Sequence, residues 1–159
     1  MKLPKAPTFY AVLVFVLFLM AAYATQCRAS ELEVNGGATI VRGNAAVLKL
    51  DIIFPRAGPL DSDYRCGIAL IGPSEYNGDQ RQQAAAQCQM IDGFGKLDLG
   101  LGLVYLQNID AYNGSHTNFS LSIGYRFTER FSVTYQHWSN AGTTKSNKGR
   151  DFITLGWRF

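Results

Sequence analysis

A hydroxyl, an imidazole and a carboxylate lie close together near the carboxyl end of the chain, at Ser139, His137 and Asp151. In an extended segment, residues two apart face the same side, with roughly 6.5–7 Å between their α-carbons. An imidazole can lean across that gap to a serine hydroxyl. Asp151 opens the next extended segment on the same parity and can reach the other ring nitrogen. Nucleophile, base and orienting acid together are the parts of activated-serine ester chemistry. A His-x-Ser pair by itself arises by chance in many chains, so the weight lies in what shares its face. The parity of Ser139 and His137 continues through Tyr135, Val133 and Phe131, and that of Asp151 through Ile153, Leu155, Trp157 and Phe159. The trio therefore points with the apolar residues. On a lipid-facing surface, polar side chains are costly unless they work there. The bland alternative is a set of ordinary polar residues at the water boundary, where membrane barrels tolerate them at little cost.

The elements that must position the trio are strands. Leu48, Leu50, Ile52 and Phe54 alternate with Lys49 and Asp51, and Tyr64, Cys66, Ile68 and Leu70 with Arg65, Gly67 and Ala69. Leu97 to Tyr105 alternates with Asp98, Gly100 and Gly102, and Phe119 to Phe127 with Ser120, Ser122, Gly124 and Arg126. Weaker candidates lie at Leu32 to Val41 and Gln82 to Ile91. With the two segments of the trio the total is eight. A soluble sandwich also alternates, but here the polar faces hold isolated charges among glycines and serines. The apolar faces hold long aliphatics finished by Tyr or Phe. That pattern predicts an all-β fold, an eight-stranded antiparallel transmembrane barrel with lipid outside and a tightly packed polar interior. The connection Thr128-Glu129-Arg130 is tight, as periplasmic turns are, and Asn140 to Arg150 is long, as extracellular loops are. The trio is then expected at the outer-leaflet end.

Ahead of the barrel, Lys2 and Lys5 precede an apolar run from Phe9 to Tyr23 and a stretch of small residues. This is the layout of a secretory signal peptide. Residues 1–29 are expected to be removed and 30–159 to form the barrel domain, although a cut after Ala24 satisfies the same rule. The formal net charge of +3 comes largely from Lys2, Lys5 and Arg28. The remainder is close to neutral, which argues against a nucleic-acid partner. Cys66 and Cys88 remain, flanking the hairpin-turn signal Asn77-Gly78, and a cross-strand disulfide between them is open in an oxidising compartment. No His, Cys, Asp and Glu cluster at ligand spacing suggests a metal, and no cofactor is implied.

The stretch from Tyr135 through His137, Ser139 and Asn140 to Gly142, then Asn147 to Asp151 and a strand ending on Phe159, resembles the carboxyl-terminal signature of the PagL-type lipid A 3-O-deacylases. The resemblance is specific over the last quarter of the chain. It implies an eight-stranded outer-membrane esterase that cuts the acyl ester at the 3-position of lipid A in lipopolysaccharide, with its catalytic groups on the outside of the barrel. By that resemblance His137 is the base, Ser139 the nucleophile, Asn140 part of the oxyanion hole and Asp151 the acid. The family's acid is typically Glu, one methylene longer than Asp151. Lipid A carries phosphates at the height of the loop after Ser139, so Lys145, Lys148 and Arg150 are candidate phosphate contacts. Two other readings stay open on the sequence: a noncatalytic small outer-membrane barrel for adhesion or envelope integrity, and an acyltransferase that adds a chain to lipid A. The partners implied are lipopolysaccharide and the outer membrane, with a homodimer left open.

Overall fold

In a computed structural model, described here over residues 31–40, 45–55, 62–73, 82–109, 112–143 and 148–159, eight strands close on themselves. They are β1 (Glu31–Thr39), β2 (Ala46–Phe54), β3 (Asp63–Ile71), β4 (Gln83–Phe94), β5 (Leu97–Leu106), β6 (Thr117–Arg126), β7 (Phe131–Ser139) and β8 (Arg150–Arg158). Each pairs antiparallel with the next, and β1 pairs with β8 to complete the barrel. The expected leader, the Asn77-Gly78 turn and Lys145 lie outside the described residues.

Alternation along the strands sorts the side chains. Leu48, Leu50, Leu70, Leu99, Leu101, Leu103, Leu121, Ile123 and Leu155 all stand exposed on the outer face. A belt of this kind is at rest in hydrocarbon and costly in water. Closure leaves no strand edge unpaired, which is what a sheet needs in a medium without hydrogen-bond partners.

The inward face is layered along the barrel axis. At the end with the short connections, ion pairs gather: Arg65 with Glu33 (3.5 Å), Arg158 with Glu33 (3.3 Å) and Glu31 (3.1 Å), and Arg126 with Asp98 (3.1 Å). The middle is an amide-rich network. Lys49 Nζ donates to Gln136 Oε1 (2.8 Å), and Gln136 Nε2 donates to Gln87 Oε1 (2.9 Å) and Ser120 Oγ (2.7 Å). Asp51 accepts from Gln87 (2.8 Å) and Asn35 (3.1 Å). Toward the long connections the lumen turns apolar, filled by Val47, Ala69, Ile71, Val104, Leu106, Trp138 and Phe152. The Trp138 and Phe152 rings meet edge to face at 4.5 Å, a favourable aromatic geometry. This plug lies directly behind the outer face of β7 and β8.

Two glycines show why the interior carries so few large residues. A Cβ at Gly102 would run into the Cys88 carbonyl oxygen, and one at Gly156 would lie 2.5 Å from Asn35 Oδ1. The neighbouring strand or the network needs that volume. Cys66 and Cys88 face each other across β3 and β4 and are joined, with α-carbons 4.0 Å apart.

Candidate active site

The antiparallel register of β7 and β8 sets His137 directly opposite Asp151. Directly opposed residues have β-carbons about 4.5–5.5 Å apart, which suits a short acid reaching an imidazole. His137 Nδ1 lies 2.8 Å from Asp151 Oδ1. A carboxylate only accepts, so the bond fixes the proton on Nδ1 and leaves Nε2 as the acceptor. Both side chains lie on the outer face, part-buried at 33% and 14% exposure. The parity read from the sequence therefore holds in the barrel. Ser139 follows on that face at the last position of β7, beside Phe119 of β6.

Beyond Ser139 the chain turns sharply. Ser139 Oγ accepts the Ala141 N–H at 3.1 Å, and Asn140 Oδ1 accepts the Gly142 N–H at 3.0 Å. These are the serine and Asx turns in which a side chain stands in for a backbone acceptor. Ala141 has φ 52° and Gly142 φ 79°. The left-handed conformation is uncommon for a residue with a β-carbon, and such positions concentrate at functional sites. Asn140 itself is buried, at 1% exposure. Its carboxamide is thus tied into the turn, and the backbone N–H of Ala141 is held against the Ser139 hydroxyl.

The start of β8 is braced from below. The Tyr112 carbonyl, in the connection between β5 and β6, accepts the N–H groups of both Lys148 and Gly149 at 3.0 Å. The Arg150 guanidinium lies 4.7 Å from the centre of the Tyr112 ring, within cation–π range. Arg150 is buried at 4% exposure, so it locks β8 to the β5–β6 connection and does not offer its charge to a phosphate. That corrects the expectation for Arg150: its parity is opposite to that of Asp151, which turns it inward. Lys148 is exposed.

Gly149, with φ 69°, brings backbone against the base. A Cβ there would lie 2.5 Å from His137 Cε1 and 3.0 Å from Nε2. Sequence reasoning passed over Gly149, although a glycine two residues ahead of the acid was the available signal. It also passed over Tyr135, whose hydroxyl donates to Asp151 Oδ1 at 2.5 Å. Tyr135 shares the parity of His137 and was read as part of the apolar face alone. His116 stacks on Tyr105, with ring centres 5.5 Å apart. Among the described residues no group of three His, Cys, Asp or Glu could hold a metal ion.

Fold and site together define a membrane-spanning eight-stranded barrel with an acid, a base and a hydroxyl on its lipid-facing surface. Residues 94–159, which take in β5 to β8 and the whole trio, match the family model of lipid A 3-O-deacylase (PagL). The barrel is similar to the crystal structure of the outer membrane enzyme PagL, with a TM-score of 0.61 at 18% identity, over 81% of this chain and 98% of that one. A comparison with curated proteins finds no match. The family match supports lipid A 3-O-deacylase function, an ester hydrolysis, and the structural likeness supports the barrel.

Proposed function

We propose that this protein is an outer-membrane serine esterase that hydrolyses the 3-linked acyl ester of lipid A in the outer leaflet. The observation that carries the reading is the His137–Asp151 pair at 2.8 Å on the outer face, one residue pair from Ser139 on the same parity. In the reaction, His137 Nε2 takes the Ser139 proton as Oγ attacks the ester carbonyl. Asp151 holds the ring and stabilises the imidazolium that forms. The oxyanion meets the turn that Asn140 closes, with backbone N–H groups after the nucleophile as donors. His137 returns the proton to the leaving sugar oxygen. Water then attacks the acyl-serine with His137 as base again, and the fatty acid leaves into the bilayer. Lys148, together with Lys145, is the cationic contact for the lipid A phosphates. All three reacting groups come from one chain, so the chemistry requires no second copy. The leader over residues 1–29 delivers the chain for export, and its cleavage leaves the barrel over 30–159.

The test is mass spectrometry of lipid A from cells making the wild type or single variants, with barrel assembly followed by heat-modifiable migration. Ser139→Ala and His137→Ala should each abolish release of the 3-linked chain while the barrel assembles, a loss of several orders of magnitude. Asp151→Asn should cost less than either. Wild-type deacylation by an assembled Ser139→Ala barrel would overturn the serine mechanism. Lipid A that gains an acyl chain would mean a transferase, and unchanged lipid A a noncatalytic barrel.

A further inference from the structure

Asp151 Oδ1 receives two donors, His137 Nδ1 at 2.8 Å and the Tyr135 hydroxyl at 2.5 Å. Tyr135 lies two residues before His137 on the same face of β7, one step further into the membrane belt, and is exposed to its surroundings at 39%. Its strand partner is Ile153, the outward residue next to Asp151 on β8. The phenol therefore reaches diagonally across the β7–β8 pair to the carboxylate from the bilayer side. A carboxylate on a lipid face needs donors to stay charged there, and a tyrosine can supply one while presenting an apolar ring to the lipid.

Resting on the serine-esterase reading above, we infer that Tyr135 is a positioning residue for the reaction, fixing the Asp151 carboxylate against His137 through its hydroxyl. The short acid makes the need concrete. Asp151 is short, and His137 Nδ1 meets it at one oxygen, Oδ1. A second donor on that oxygen, delivered by a ring anchored in the neighbouring strand, narrows the orientations the carboxylate can take. Tyr135, Asp151 and His137 thus act in series: the phenol orients the acid, the acid orients the base, and the base acts on Ser139.

The experiment is a double-mutant cycle on the full-length protein in outer-membrane preparations, with kinetics on lipid A and heat-modifiable migration to count assembled barrels. Tyr135→Phe keeps the ring and removes the hydroxyl. It should lower kcat about ten-fold with KM unchanged, the size expected for losing a hydrogen bond to a charged group. In an Asp151→Asn background the same change should cost under about two-fold, because coupled residues are non-additive. Tyr135→Phe in an Asp151→Glu background should likewise cost less than in the wild type, since the longer acid meets the imidazole from a different position. Equal losses in the wild-type and Asp151→Asn backgrounds would show that Tyr135 acts on the barrel and not through the acid, and would overturn the inference. So would an unchanged kcat in Tyr135→Phe. If Ser139→Ala abolishes activity while Tyr135→Phe does not alter it, the esterase reading stands and only the role of Tyr135 fails. If Ser139→Ala is active, the reading itself fails.

Discussion

Asp51 and Asp151 are the same side chain put to opposite uses on the two faces of one sheet. Asp51 points into the lumen, fully buried, where Gln87 and Asn35 donate to it and the Lys49 ammonium lies 3.8 Å away. Asp151 points outward toward lipid and meets a base and a phenol. The inner carboxylate sits among amides that are themselves bonded onward to Gln136 and Ser120. Its donors are held by other buried side chains, and the Lys49 ammonium that lies beside it donates in turn to Gln136. The outer carboxylate instead holds Nδ1 of an imidazole and leaves the second ring nitrogen as an acceptor. The inner carboxylate is enclosed by the barrel's own packing, and the outer one is paired on the barrel's surface.

The comparison breaks most sharply at Gly149. Gly149→Ala would drive a Cβ into the His137 ring at a position whose φ of 69° also disfavours alanine. A base displaced by about 1 Å costs on the order of 10²-fold in rate. Deacylation by the assembled variant should fall by that factor, while its heat-modifiable migration is retained. The inner face should give the reverse result. Gln136→Leu removes the acceptor of Lys49 and the donor to Gln87 and Ser120, and leaving buried polar groups unmet costs about 1–3 kcal/mol. Its unfolding midpoint in urea should drop, while kcat per assembled barrel stays near wild type. A Gln136→Leu barrel of full stability but low kcat would blur the division between the faces.

Smaller effects are expected where charge meets substrate and where the turn is strained. Replacing Lys145 and Lys148 together with Gln should lower activity a few-fold on phosphorylated lipid A and less on a neutral ester, in keeping with the modest strength of exposed ion pairs (about 0.2–1 kcal/mol each). Equal losses on the two substrates would remove phosphate recognition from the loop. Ala141→Gly should be the mildest change. It relieves the left-handed alanine and loosens the turn behind Ser139, so stability should shift by less than about 1 kcal/mol.

Much of this was legible in the sequence because a single period-2 alternation recurs along the chain. Strand alternation fixed which residues of β2, β3, β5, β6, β7 and β8 face outward, except that Phe54, read with the outer face of β2, is buried at 3% exposure. β1 and β4 were the weak cases: apart from Cys88, Gln83 to Gln89 is built of Gln and Ala, which lack the branched and aromatic side chains that favour strands, and ladders to β3 and β5 hold it extended. The trio was visible through parity and spacing. What stayed hidden depended on register between strands. His137 opposing Asp151, Tyr135 reaching diagonally to the acid and Gly149 abutting the ring are all cross-strand facts, and a one-residue slip would have scrambled them. Arg150 was misjudged for the same reason. It was counted as a loop cation, whereas the ladder begins at Arg150 and turns it over Tyr112.

The closed packing of the lumen has a consequence for the cell that makes this protein. Lys49, Gln87, Gln136, Ser120 and Trp138 are each between 0% and 2% exposed, so the middle of the lumen is filled by side chains packed on one another. The barrel should therefore carry no ionic current: planar bilayers loaded with it are expected to show no conductance steps. A cell could raise its copy number many-fold to remodel its outer surface without opening a route for antibiotics or losing small solutes.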